Sequence, residues 1–427
     1  MKSSTLSVFL ILIAVAPLVG LGADPDLSKV SSRADLDSII ATTTEAPLKQ
    51  ALTDHADAIL AAAKRYPHVV AIIRTIESAP GKFEKVNTTP EALKTAAGGD
   101  IPIFDTLTLV NTKVLGGGAH DHRKKNEDPY NAAFIEHLGQ ISSLETLYLE
   151  ATNIEDSWVA PVLHLKKLKK LTIIGFGRLG DASLIQLQNL TTACPDLAHL
   201  ELVAFGKATD AGLEKLAGLK KLETFAFRTP VKGHGFAKFE GWTRLRSINF
   251  HSNNLDDEGL GYVCENFPNL EFIKLWHSHG ITDASAGHLG KLSKLKGMEI
   301  GCHHATAALL QNLKHLPMEY LGLSYGVNSP PSEAIAAVKA IPTLRRLSIQ
   351  CDSFTDEELA ELAGVTQLEK LTLNRLPLTE ARIARLKDFA FLKELELAER
   401  RKEHHYPEAI QAKVKAALPN LTVTFIQ

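Results

Sequence analysis

From residue 144 onward an apolar side chain returns every 23 to 29 positions: Leu144, Leu168, Leu197, Leu222, Leu245, Leu270, Leu295, Met318, Leu344, Leu368 and Leu392. Each is followed three and five residues later by two more apolar residues, as in Leu147/Leu149, Ile273/Leu275 and Leu371/Leu373. The offset of two reads as a short strand with alternate side chains buried. In 197–221 the strand pattern gives way to Thr209-Asp210, a good helix N-cap, and then to Leu213, Leu216 and Leu219 at helical spacing. One strand, one turn and one helix cannot bury their own apolar faces, whereas a stack of copies can. The expected fold is therefore an α/β solenoid of about twelve repeats over 104–427, with a first strand at 104–109 and a last at 421–426.

Four second halves are alike in detail: ATDAGLEKL (208–216), LDDEGLGYV (255–263), ITDASAGHL (281–289) and FTDEELAEL (354–362). Together with the C-P-x-L run at 194–197 they resemble the cysteine-containing, F-box-associated type of leucine-rich repeat, as also found in exported bacterial proteins. The resemblance covers about three quarters of the chain. It implies a horseshoe with strands on the concave side and binding as the trade of that side. It does not imply which partner is bound, because fold does not fix function.

The chain opens with Lys2 and an apolar run, LSVFLILIAVAPL at 6–18, followed by small residues at 20–23. This reads as a signal peptide over 1–23, too short for a comfortable membrane span. The expectation is an exported protein, periplasmic or secreted, without a transmembrane segment in its mature chain. Residues 24–103 show no repeat. Helical periodicity at 47–64 and 67–78, with a third helix starting at Thr89-Pro90, reads as a helical N-terminal cap over the end of the solenoid. Within the repeat domain, 115–130 (LGGGAHDHRKKNEDPY) reads as a mobile glycine-rich insertion. Its glycines lack the Lys-Ser/Thr of a phosphate loop.

Four cysteines remain: Cys194, Cys264, Cys302 and Cys351. Equivalent positions two repeats apart lie near 10 Å, beyond disulfide reach, so free and mostly buried thiols are expected. The 47 basic and 49 acidic side chains nearly balance, which gives no reason to expect a nucleic-acid partner. No G-x-S-x-G or HExxH motif is present, and the recurring Thr-Asp pairs read as helix caps, so no enzymatic role is expected.

Binding is expected on the residues between the buried leucines. In the middle repeats these include His251, Lys274, Trp276, His277, Tyr320, Tyr325 and Arg346, continuing to Gln350, Asn374 and Arg375. Trp, Tyr and Arg dominate protein interfaces because they combine contact area with a polar handle. The expected function is recognition of a protein or peptide by a monomer without a cofactor. The alternative is a metal- or small-ligand-binding envelope protein using the turns at 276–279 and 302–304. There His277 and Cys302 would lie about 5 Å apart by strand spacing, with His303 and His251 as further ligands.

Overall fold

The computed structural model describes residues 26–113, 128–251, 254–323 and 328–427. The expected signal peptide and most of the glycine-rich insertion lie outside these residues. The chain divides into two compact units, one formed by residues up to Pro67 with Asn87–Asp105, the other by His68–Val86 with Thr106–Gln427.

The first unit is helical. Arg33–Thr42 starts with a capping box, Ser32 with Asp35, and is followed by Ala46–Asp54, the first half of Ala56–Glu77, and Glu91–Ala97. Its core is Leu36, Leu52, Ile59, Leu93 and Phe104, all 3% exposed or less. The break between helices falls at His55, not ahead of Pro67, and Pro67 lies inside the 22-residue helix Ala56–Glu77. A proline forfeits one backbone hydrogen bond there. Buried Ile59 and Ala62 before it, and Val69 and Ile72 after it, hold the helix on both sides.

The second unit is one 14-stranded sheet in strictly sequential order. Its strands are β1 (Lys82–Asn87), β2 (Asp105–Asn111), β3 (Thr146–Glu150), β4 (Lys170–Ile174), β5 (His199–Val203), β6 (Thr224–Arg228) and β7 (Ser247–His251). They continue as β8 (Phe272–Trp276), β9 (Gly297–Gly301), β10 (Tyr320–Leu323), β11 (Arg346–Gln350), β12 (Lys370–Asn374), β13 (Glu394–Ala398) and β14 (Thr422–Ile426). From β2 to β14 every pairing is parallel. Eleven of these strands begin two residues after the ladder positions of the sequence. Strand β1 carries no such signal: it is an edge strand, exposed at four of its six positions, with Lys82, Glu84 and Lys85 as its charges. Charge on an edge discourages further pairing, and it also hides the strand from a hydrophobic pattern.

The segments returning between strands are shorter than the α-helices expected. Asp156–His164, Glu214–Gly218 and His234–Lys238 are 3-10 helices. A 3-10 helix rises about 2.0 Å per residue against 1.5 Å, so it spans a short repeat with fewer residues. The repeat around β6 and β7 compensates with rings. Phe225, Phe236, Phe239, Phe250, Phe267 and Trp242 pack in mutual contact, each 1% exposed or less, and Trp242 Nε1 donates to Ala217 O at 2.9 Å.

Each residue of the Thr-Asp pairs has its own task. Thr209, Thr282 and Thr355 cap their own helices through Oγ1. The aspartate at the helix start, in Thr282-Asp283 and likewise in Gly180-Asp181 and Asp256-Asp257, reaches the next repeat. Asp181 accepts from Thr209 N and Oγ1 at 2.8 and 2.7 Å, Asp257 from Thr282 at 2.9 and 2.6 Å, and Asp283 from Thr306 at 2.8 and 2.6 Å. One repeat thus satisfies the first free N–H groups of the following one. The pairs are structural.

All four cysteines are free and buried. The described end of the insertion is also fixed, unlike the loop expected through 130. Asp128 accepts from Thr152 N and Oγ1 at 2.6 and 2.7 Å, and fully buried Tyr130 donates to Pro80 O at 2.5 Å.

Candidate recognition surface

The sheet presents three rows of side chains on the face opposite the buried leucines, set by the strand register. One row runs Ser247, Phe272, Gly297, Tyr320, Arg346, Lys370, and the next Asn249, Lys274, Glu299, Gly322, Ser348, Thr372. The third holds His251, Trp276 and Gly301, with Gln350 and Asn374 further on.

The middle is a linked cluster. Lys274 Nζ lies 3.2 Å from the ring centroid of Trp276 and 2.8 Å from Glu299 Oε2. Tyr320 donates its hydroxyl to Glu299 Oε1 at 3.2 Å, and the Arg346 guanidinium lies 5.4 Å from the Tyr320 ring. On the other flank His251 meets Trp276 edge to face at 5.6 Å, and Arg228 Nη2 donates to His251 Nδ1 at 3.2 Å while Nη1 pairs with Glu201 at 3.4 Å. Lys274 and Glu299 are only 20% and 18% exposed. Trp276 and Tyr320 are half-buried against these partners, so the cluster is not the freely exposed aromatic patch that the sequence suggested. It is a preassembled surface with both charge signs neutralised inside it.

Gly297 makes that packing possible. The Phe272 and Tyr320 rings stack across it, 6.3 Å apart and 11° from parallel, and a Cβ on Gly297 would come within 2.8 Å of Phe272. Phe272 belongs to the cluster although the sequence reading passed it over. A glycine aligned between two aromatic residues at one ladder position was the available signal.

Electrostatics follow from the packing. Burial, then the positive charges of Arg228, His277 and Lys274, push His251 down to about 4. Its Nδ1 already accepts from Arg228, so a proton there would break that bond. Burial also lowers His277, with help from His303 and His279, and raises the Tyr320 phenol, with help from Glu299. Tyr148 is pushed up to about 12, mainly by burial and then by Glu150 and Glu201.

The turn histidines form a file of ring contacts, stacked at both ends and tilted in the middle. His251 lies 5.4 Å from His277, His277 6.0 Å from His303, and His303 5.3 Å from His279. Cys302 does not join them. It is 2% exposed, its Sγ donates to Leu275 O at 3.3 Å, and burial pushes its thiol up to about 11. The reason is backbone. The residue after a strand normally points inward, as Ala151, Thr229, Cys302 and Cys351 do, each 2% exposed or less. His277 has φ +52°, as Ala204 and Arg375 have +55° and +59°, and these three are turned outward into half-buried positions. Two residues at the same sequence position of adjacent repeats therefore face opposite ways. No group of three or more His, Cys, Asp or Glu side chains suited to a metal ion occurs among the described residues.

The remaining candidates separate. Gln350 Nε2 donates to Asp352 at 2.9 Å, and Asn374 Nδ2 to Ser348 Oγ at 2.9 Å. Arg375 leaves the sheet face for a hollow beyond the strand ends. Tyr325 lies outside the described residues. A shallow depression of about 230 Å³, lined by Lys170, His199, Glu201, Thr224 and Asn249, continues the face toward β4.

No protein-family model matches the chain, and no curated protein sequence does. Solved structures similar to it include an internalin, InlF, from Listeria monocytogenes str. 4b F2365, at 18% identity over 74% of this chain and 86% of that one, with a TM-score of 0.37. The yeast Rad7–Elc1 complex is similar at 15% identity over 67% and 83%, with a TM-score of 0.39. The TLR13–ssRNA13 complex is similar at 14% over 62% and 46%, with a TM-score of 0.33. With TM-scores this low, the architecture rests on the chain's own register of parallel strands and buried leucines. The fold is a leucine-rich repeat solenoid.

Many of the surface's polar groups are engaged with one another, and His251 is held neutral by burial and then by the neighbouring Arg228. Among the described residues no helix is long and apolar enough to cross a membrane.

Proposed function

We propose that the sheet face centred on Trp276 recognises a protein or peptide without catalysis, and that the chain does this as an exported monomer. The supporting observation is the fixed orientation of Trp276 between Lys274 and His251, with Tyr320 and Arg346 two and three strands further on. An aromatic anchor already held in one rotamer loses little entropy on binding, and Trp, Tyr and Arg are the side chains richest in binding energy. The near balance of 47 basic and 49 acidic residues supports a partner other than nucleic acid. Export rests on the leader at 1–23. The finer resemblance to cysteine-containing repeats is supported by Cys194, whose thiol donates to Leu165 O of the preceding repeat at 3.3 Å.

The test is capture of partners from envelope and secreted fractions by wild-type protein and by the Trp276→Ala/Tyr320→Ala double variant. A partner held by the first and lost by the second supports the reading. Equal retention by both removes the sheet face from it.

A further inference from the structure

Past the ends of β12 and β13 the chain lines an open hollow of about 230 Å³, distinct from the sheet-face cluster. Its polar wall is Arg375, Glu399, Arg401, His404 and His405, and Leu376 to Leu378 supply apolar contact. Glu399 is 3% exposed, and both its oxygens are taken by Arg401: Nε at 2.9 Å, Nη2 at 2.7 Å, and the backbone N–H at 3.0 Å. That pair is neutral and fixes the Arg401 fork. Its Nη1 has no acceptor among the described residues.

Arg375 brings a second guanidinium with no hydrogen bond or ion pair among the described residues. Its left-handed backbone, φ +59°, turns the side chain out of the core. His404 and His405 complete the polar wall, with His405 Nε2 closed off from solvent. Asp352 and Glu403 favour the charge on Arg401, but neither lines the hollow. The sum is one unbalanced positive charge, on Arg375, over a neutral pair. A cavity of this size holds roughly eight waters.

We propose that this hollow is an oxyanion site for a small carboxylate- or phosphate-bearing molecule. Arg375 and Arg401 present the forks, since a planar guanidinium suits both anions in two-point contact. Glu399 acts as the positioning residue that orients Arg401. The site is independent of the sheet-face reading.

The experiment is calorimetric titration of the purified protein with inorganic phosphate and, separately, with succinate. Saturable one-site binding at millimolar affinity or tighter is expected for at least one of the two. Arg375→Gln is expected to weaken it about tenfold or more, Arg375→Lys less, and Arg400→Gln, on the exposed neighbour, not at all. The unfolding midpoint of Arg375→Gln separates lost binding from a lost fold, and Arg375→Lys carries the test if that variant does not fold. Absence of saturable binding by both probes, or unchanged affinity in both Arg375 variants, overturns the proposal.

Discussion

Lys274 Nζ sits 3.2 Å from the centroid of the Trp276 ring while pairing with Glu299 at 2.8 Å, so one ammonium ties an aromatic side chain to the carboxylate of the next strand. A desolvated cation–π contact contributes about 2 kcal/mol. Lys274→Ala is therefore expected to free the indole, seen as a red shift and lower anisotropy of Trp276 fluorescence in a Trp158→Phe background; Trp242, buried in the core, supplies a constant signal. Global stability should fall by no more than about 2 kcal/mol, because a surface cluster is not the core. Unchanged emission would mean that the lysine does not hold the ring.

Asp257→Ala removes the acceptor of Thr282 N–H and Oγ1 and of Ser285 Oγ. The loss expected in chemical unfolding is about 1 to 3 kcal/mol, the cost of leaving buried donors unmet. Burial opposes ionisation of Asp257, but the bonds from Ser285 and Thr282 win, and its carboxyl lies below the ordinary value. Its contribution is thus present above the unfolded-state value and disappears as pH falls through the lower folded one. The destabilisation by Asp257→Ala should shrink in strong acid. A constant difference down to that range would contradict the inter-repeat bond.

The buried leucine ladder was legible because one template recurs eleven times, and its phase located β3 to β13. The surface was legible only in part. Reading outward positions named Lys274, Trp276 and Tyr320, yet it could not foresee that they shield one another. Cys302 and His277 looked equivalent in sequence; the left-handed backbone at His277, which no residue type announces, sends them to opposite sides. The second role of the Thr-Asp pairs escaped because the acceptor and donor lie in different repeats. Strand β1 escaped because an exposed edge has no apolar alternation.

His251 should make stability pH-dependent. Its folded value, about 4, lies below the unfolded value near 6.5, so the unfolded chain binds the extra proton between them. Stability from this group is full above that window and is lost as pH falls through it. Urea midpoints of wild type should drop more steeply between pH 6.5 and pH 4.5 than those of His251→Gln. Parallel profiles would show that His251 is not held neutral.

Trp242→Ala opens the ring-filled core between β6 and β7 and strands the Ala217 carbonyl. A loss of about 3 to 5 kcal/mol is expected by denaturant unfolding, larger than for any substitution in the sheet-face cluster. A loss below that of Lys274→Ala would place the stabilising contacts elsewhere.

The central claim is that partners dock on the sheet face, and photo-crosslinking reports it most directly. A photoreactive residue at Ser247, beside Phe272 on that face, is compared with one at Ile185, which is 46% exposed on the helical side. The account predicts a partner adduct from Ser247 that disappears with Trp276→Ala, and none from Ile185. Adducts from Ile185 alone would contradict it.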